Sequence, residues 1–392
     1  MTVADRWLLP EGVEELLPAQ AQQAENMRRR LLDLYRSWGY ELVMPPLIEF
    51  TDSLLIGMGS DVELSSFTVT DQLSGRQMAI RPDITAQAAR IDAHSIRSDE
   101  PTRLCYAGSV LHTKPKSLMA SRSPIQLGAE LYGEGSVAAD IEVISLMLET
   151  LSSVGIGDVT LELGHVGIFR SLAADAGLTT DQENELFEVL QRKAVGEINA
   201  VIAQYIPDAE LAAQMSAFTQ LYGDISVLAK AEALLANASD EVIQAIKQLR
   251  EVAEQIQLRH GDLNLYFDLS ELRGYHYHTG LVFGAYANGC GYAVANGGRY
   301  DDIGRVFGRA RPATGFTTEL KSLLNLAVNK VENADIIFAP YSDDHGQWQQ
   351  IQNLRHEKKI VICGLPKQAA GSNCTHLLVG SGDQWSLQPI TK

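Results

Sequence analysis

Asp83, Gln126 and Glu130 are acceptor side chains placed to meet a positively charged group. Gln126 and Glu130 lie four apart in a segment that reads as a strand, so both project from one face, and Asp83 follows the end of an earlier strand. Such acceptors suit an α-ammonium group. Arg273 opens the run Arg273-Gly274-Tyr275-His276-Tyr277-His278-Thr279-Gly280. Its guanidinium offers a two-pronged fork for a carboxylate or phosphate, and Gly274 lets the backbone approach a ligand closely. Together these residues describe a receptor for a zwitterion. Each also has a plain structural role: Asp83 as a helix cap, Gln126 and Glu130 as partners for buried backbone, Arg273 in an ion pair. His276 and His278 stand two apart, a chelating spacing, but no third ligand accompanies them, so neither a metal nor another cofactor is expected.

A frame must hold these groups in place. From Gln20 to Trp38 apolar and charged residues recur at helical spacing, and Gly39 supplies a stop. A strand-like run from Tyr40 to Met44 ends at Pro45-Pro46, whose nitrogens cannot donate to a ladder. Further strands are expected at Gln77 to Ile80, Arg103 to His112, Ile125 to Tyr132 and Leu161 to Gly164, with a helix from Val137 to Leu151 among them. This order predicts an α+β protein with an antiparallel sheet flanked by helices, its core built from 1–168 and 259–330. From about Phe169 to Leu258 the composition turns to Ala, Gln, Glu and Leu with helical period, which predicts a helical insertion over 169–258. Strand signals return at Leu263 to Asp268, Thr279 to Ala285 and Tyr292 to Ala295, then a turn at Asn296-Gly297-Gly298 and a helix from Thr317 to Lys330. Residues 331–392 predict a small α/β unit with strands at Ile336 to Ala339 and near Ile360 and Leu377, and a helix from Asp344 to His356. Its core must be thin.

Composition narrows the function classes. At 392 residues, 45% hydrophobic and 21% charged, the chain is an ordinary globular protein larger than one typical domain. A formal net charge of -17 repels polyanions, so nucleic acid is a disfavoured partner. Cys105, Cys290, Cys363 and Cys374 form no Cys-x-x-Cys pair, which argues against a disulfide framework or a thiolate zinc site. The start, MTVADRWLLPEG, has no long apolar core, and no stretch reaches the ~18 apolar residues of a membrane span. A cytoplasmic protein with no membrane partner is expected.

Several motifs in order resemble those of histidyl-tRNA synthetase, a class II aminoacyl-tRNA synthetase, from about Pro10 to Leu326. Gly39-Tyr40-Glu41 to Pro45 resembles the dimer-forming first motif of that class, and Arg81-Pro82-Asp83-Ile84-Thr85 resembles the family's Arg-Pro-Glu-Gly-Thr turn. Tyr106-Ala107-Gly108 followed by Gln126-Leu127-Gly128-Ala129-Glu130 resembles the frame of its second motif. Arg273-Gly274 with Tyr277 resembles its Arg-Gly-Leu-Asp-Tyr-Tyr signature, and Asn296-Gly297-Gly298-Arg299-Tyr300-Asp301 its Gly-Gly-Gly-Arg-Tyr-Asp. The resemblance implies a synthetase-like fold, self-association through the first motif, and a histidine pocket at Asp83, Thr85, Gln126, Glu130, Arg273, Tyr275 and Tyr277.

The departures fall on the ATP side. His112-Thr113-Lys114 stands where the family places arginine, any residue, then glutamate, and Glu319-Leu320-Lys321-Ser322 stands for Gly-Leu-Glu-Arg. Both arginines that grip ATP are gone. Losing one preorganised cation in such a transition state costs ~3 kcal/mol or more, so adenylate formation should be abolished. The tail after Glu332 is also shorter than the family's anticodon-binding domain, which implies no tRNA partner.

A synthetase-like chain with these losses is similar to one noncatalytic paralogous family, the regulatory subunits of ATP phosphoribosyltransferase. That resemblance implies a hetero-oligomer with the short-form catalytic subunit at the first step of histidine biosynthesis, with histidine as the feedback ligand. Two other classes fit less of the sequence: a divergent synthetase-like amino-acid ligase with a rebuilt ATP site, and a synthetase-like protein that senses uncharged tRNA.

Overall fold

The computed structural model describes residues 7–54, 65–115, 120–272, 274–275, 277–327, 335–382 and 384–390. The chain forms two compact units, Met1–Asn329 and Lys330–Lys392.

The first unit begins with α1 (Pro18–Ser37), whose buried residues Ala24, Met27, Leu31 and Tyr35 fall at helical spacing on one face. Gly39, at φ 85°, turns the chain where a side chain would strain it. There follow β1 (Glu41–Leu42), β2 (Ile48–Phe50), the single turn α2 (Thr51–Leu54), β3 (Phe67–Thr70), β4 (Gln77–Ile80) and α3 (Thr85–Arg90). Next come β5 (Thr102–Ser109), β6 (Ile125–Tyr132), α4 (Val137–Ser153) and β7 (Val159–His165). The helices α5 (Val166–Asp175), α6 (Thr180–Gln191), α7 (Val195–Tyr205), α8 (Ala209–Phe218), α9 (Ser226–Leu234) and α10 (Asp240–His260) succeed one another, with β8 (Tyr222–Gly223) between them. The unit closes with β9 (Asn264–Asp268), β10 (Leu281–Ala287), β11 (Ala295–Arg299), β12 (Ala313–Glu319) and α11 (Leu320–Leu326).

Nine strands form one sheet in the order β1-β5-β6-β12-β11-β10-β7-β9-β8. It is antiparallel except where β1 pairs with β5 and β7 with β9. Strand β6 shows how the sheet serves both core and site. Leu127, Ala129 and Leu131 point into the apolar core with α1 and α4, while Gln126, Gly128, Glu130 and Tyr132 take the other face. Burying one leucine side chain in such a core stabilises the fold by ~1.5–3 kcal/mol. Helix α10 buries Val242, Ala245, Ile246, Leu249, Val252, Ala253 and Ile256, and the helical stretch shares its core with the sheet.

Several expected elements differ. Asn296-Gly297-Gly298 lies within β11 and is not a turn, and the strand expected at Tyr292 starts at Ala295. Thr317 to Glu319 end β12, so the helix begins at Leu320. Strand β1 is only two residues long, and β4 belongs to a separate antiparallel sheet, β2-β4-β3.

The second unit contains β13 (Ile336–Ala339), α12 (His345–His356), β14 (Ile360–Cys363), β15 (His376–Ser381) and β16 (Gln384–Pro389), in the sheet order β14-β13-β15-β16. Asp344 caps α12 by accepting from the Gly346 amide at 2.7 Å. The core is small, with Ile337, Ala339, Ile351, Leu354, Val361 and Leu378 packed together. No helix among the described residues is long and apolar enough to cross a membrane.

Candidate functional site

The cleft begins as missing side chains on the sheet. Gly315 pairs with Glu130 across β12 and β6, and with Gly298 across β11. A Cβ at Gly315 would sit 1.5 Å from Glu130 Oε2, and one at Gly298 would meet the Leu281 carbonyl at 2.6 Å and the His278 ring at 2.7 Å. The glycines of β11 and β12 therefore clear a floor, and a cleft of about 250 Å³ opens over it. Asp83, Thr85, Glu130, Tyr277, His278 and Tyr300 are on its walls.

Glu130 is buried, 1% exposed. Tyr106 Oη donates to its Oε1 at 2.8 Å, and the Tyr300 hydroxyl donates to Oε2. Gly128 makes this possible, because a Cβ there would lie 2.3 Å from the Tyr106 hydroxyl that reaches across β6. Thr85 Oγ1 is 2.9 Å from the same hydroxyl. Burial pushes the Glu130 carboxyl up to about 8, hydroxyl hydrogen bonds oppose the rise, and the Asp83 charge adds to it. Tyr277 stacks obliquely on Tyr300, with ring centres 5.0 Å apart. Its buried hydroxyl has no hydrogen-bond partner among the described residues. An unsatisfied buried hydroxyl costs about 1–3 kcal/mol, which a ligand can recover.

The polar end of the cleft is held by a short network. Gln126 Oε1 accepts from the Ile84 amide at 2.9 Å, and its Nε2 donates to Asp83 Oδ2 at 3.1 Å. Asp83 Oδ1 accepts from the Thr85 amide at 2.6 Å. Arg81 anchors this turn from behind, donating to the Ser109 carbonyl at 2.9 Å and the Pro45 carbonyl at 2.8 Å.

A second cavity of about 590 Å³ adjoins the first, sharing Pro82, His112, Asn296 and Thr317. Four of its polar groups are engaged by the chain itself. His112 is buried, with Nε2 at 2.8 Å from the Pro82 carbonyl. Glu319 caps α11, accepting from the Lys321 amide at 3.2 Å, the Ser322 amide at 2.8 Å and the Ser322 hydroxyl. Lys321 Nζ donates to Glu14 at 3.1 Å and to the Ser123 carbonyl at 2.9 Å.

The structure brings Asp83, Thr85, Glu130 and Tyr277 to one cleft. Gln126 stands behind Asp83 and lines the second cavity. Tyr275 turns away: its ring stacks on Phe187 at 5.0 Å and its hydroxyl donates to Glu183. Residues 274, 275 and 277 lie in turns, not in a strand, so the alternation that would align Tyr275 with Tyr277 does not operate. Arg273 and His276 lie outside the described residues. The expected site did not include Tyr106, Tyr300, Arg81 or His278. Pairing of Tyr106 with Gly128 was the available signal, and it depends on strand register. Glu162, Asp268 and Glu271 cluster, and Glu162 and Glu271 line a smaller cavity that shares Gly274, His278, Asn296 and Gly297 with the cleft; Asp268 is bound by the Lys193 ammonium and by Ser270.

Known proteins share this architecture. The histidyl-tRNA synthetase family profile matches residues 12–323, and the profile of the ATP phosphoribosyltransferase subunit HisZ C-terminal domain matches residues 334–388. The ATP phosphoribosyltransferase regulatory subunits of Stutzerimonas stutzeri and Azotobacter vinelandii are each 52% identical to this chain, with 100% of both sequences covered. A Bacillus halodurans structure described as an ATP phosphoribosyltransferase regulatory subunit/histidyl-tRNA synthetase superposes with a TM-score of 0.82, covering 93% of this chain and 94% of that one at 24% identity. Histidyl-tRNA synthetase from Nostoc gives 0.79 at 17% identity, covering 98% and 94%, and shares the fold. With a class II synthetase-like body and full-length relatives of one kind, the chain belongs to the ATP phosphoribosyltransferase regulatory subunit family.

Proposed function

We propose that this chain is a noncatalytic subunit that joins the short-form catalytic subunit of ATP phosphoribosyltransferase and binds histidine in the Glu130 cleft, so that histidine inhibits the first step of its own synthesis. The observation that carries the reading is the contrast between the two cavities. In the first, Tyr277 offers a buried hydroxyl without a partner among the described residues beside Glu130, while in the second the chain's own groups occupy Glu319 and Lys321. The ring of histidine would enter toward Glu130 and Tyr277, and its ammonium would meet Asp83 at the more exposed end. Occupancy can then bias an oligomer between active and inactive assemblies without chemistry in this chain.

ATP activation is lost on this reading. The positions of both family arginines hold other residues, and Glu319 presents a carboxylate where charge on a phosphate would need a cation. Self-association through the first motif is supported by Leu42, Met44, Leu47 and Ile48, which are exposed apolar side chains beside the edge strand β1. A Met44→Glu variant should shift the chain toward monomer in analytical ultracentrifugation.

The deciding experiment combines copurification from native extract with phosphoribosyltransferase assays with and without this chain. Activity that depends on the chain and falls with added histidine supports the proposal. If no phosphoribosyltransferase copurifies, the partnership fails; amino-acid-dependent ATP–pyrophosphate exchange would instead favour a ligase. A gel shift with tRNA at physiological salt should show no complex.

A further inference from the structure

Two carboxyls line the cleft among the described residues: Asp83, partly exposed, and Glu130, fully buried. The groups that face Glu130 are Tyr106 on β5, Tyr132 on its own strand, Thr85 at the start of α3, Asp83 before it, Tyr277 in the turn before β10 and Tyr300 after β11. All are neutral hydroxyls except Asp83. His112 and His278 stand on the same walls. The slot thus holds an acid whose oxygens already accept from two tyrosines, beside the Tyr132 and Tyr277 hydroxyls, which lack a partner among the described residues; of these only Tyr277 lines the cleft.

We propose that Glu130 and the imidazole of bound histidine share one exchangeable proton, so that affinity is flat across a window of pH and falls on both sides of it. The inference rests on the histidine reading above and deepens it. With the proton on Glu130, the carboxyl donates to one ring nitrogen and keeps both tyrosine bonds, while the other ring N–H donates to Tyr277. With the proton on the ring, the same contacts survive as carboxylate and imidazolium. Either way the buried pair carries no net charge. A complex without that proton would bury a net negative charge in a slot from which the ligand has displaced water, and burial already opposes that charge in the free protein.

Proton counting gives the limits. Burial holds the free Glu130 carboxyl at about 8, and free imidazole titrates at about 6.5. Below the lower value the separate partners carry two protons and the complex one, so binding releases a proton and affinity drops about tenfold per unit of falling pH. Between the values each side carries one, and affinity is flat. Above the upper value Glu130 and the ring carry none between them, so binding takes one up and affinity drops about tenfold per unit of rising pH, before the ligand's own α-ammonium adds its loss at higher pH.

The test is calorimetric titration of L-histidine into the full chain from pH 5.5 to 9, in pairs of buffers with different ionisation heats, together with Glu130→Gln. The expected result is no proton exchange near pH 7.3, an added proton taken up by Glu130 between pH 7.5 and 9, and an alkaline limb that begins at lower pH and is steeper than in the variant, which keeps only the limb of the ligand's α-ammonium. Proton release or uptake near pH 7.3, or an alkaline limb of the same onset and slope in Glu130→Gln, overturns the inference and leaves the histidine site standing. Absence of histidine binding at every pH overturns both. Carbon-13 titration of glutamate carboxyls in the ligand-free wild type needs no variant: a resonance titrating near pH 8 supports the inference, and none above the ordinary carboxylate range overturns it.

Discussion

Replacing Tyr277 with phenylalanine separates a ligand-binding hydroxyl from a structural one, because the two roles predict opposite signs. The side chain keeps its packing, since the ring lies 5.0 Å from Tyr300 at an interplanar angle of 33° and the substitution removes only the hydroxyl. In the ligand-free protein that hydroxyl is buried without a partner among the described residues, so its loss relieves a desolvation cost. Stability should stay level or rise by about 1 kcal/mol. In the complex the same hydroxyl accepts from the ligand, and its loss should weaken histidine binding by about 1–1.5 kcal/mol, roughly five- to tenfold. Burial and the nearby Glu130 charge push the Tyr277 phenol well above its usual value, so it stays protonated in neutral buffer and pH does not confound the comparison. Urea unfolding of the free proteins and calorimetric titration of histidine measure the two effects. A ligand-free variant destabilised by more than about 1 kcal/mol, which is the worth of one ordinary hydrogen bond, would mean that the hydroxyl serves the fold. Unchanged affinity would remove Tyr277 from the site.

Gly315→Ala should displace Glu130, whose Oε2 lies 1.5 Å from the added Cβ position; histidine binding should vanish with a stability loss of about 1–3 kcal/mol, and calorimetry that still shows binding would refute the cleared floor. Arg81→Met should lower the free energy of unfolding by about 3 kcal/mol, because the Ser109 and Pro45 carbonyls lose their buried donor; an unchanged urea midpoint would contradict this. Burial holds His165 at about 4 against its ordinary 6.5. Its folded form therefore binds fewer protons than the unfolded chain, so its contribution is complete above about 6.5 and declines as pH falls toward 4, by about 3 kcal/mol in all. His165→Asn should flatten that acid limb in stability measured from pH 7 to 4.

The parts of the fold that were legible were those specified by local pattern. Strand β6 matches its expected bounds because apolar and polar residues alternate over its length, and α1 is marked by helical spacing and a terminal glycine. The glycine run of β11 was misread because glycine punctuates turns and also clears space in strands, and only the approach of the Gly315 carbonyl and the Phe283 ring to Gly297 distinguishes the two uses. Thr317 and Thr318 are β-branched and favour a strand, but they run directly into the helical residues after them; pairing with Gly128, Leu127 and Gln126 extends the strand through Glu319. Asp83 and Glu130 line one cleft, where the family resemblance put them; residue type and spacing alone left a structural role open for each. Tyr106 and Tyr300 were not, since their link to Glu130 spans three strands and a loop. Tyr275 and Tyr277, two apart, part company because both lie in turns, where the alternation of a strand does not apply.

Glu319 gives the second cavity an evolutionary direction. Its carboxylate satisfies the first amides of α11, and Lys321 is drawn off to Glu14 and the Ser123 carbonyl. On the proposed reading, an arginine restored at Ser322 alone would arrive beside an occupied carboxylate, and a glycine restored at Glu319 alone would uncap the helix. On that reading the first reversion leaves the new guanidinium paired with Glu319, and the second lowers stability by the loss of the cap, so neither alone returns a free cation to the cavity. The cap acts as a ratchet, and a lineage that acquired it could explore new partners without drifting back into adenylate chemistry.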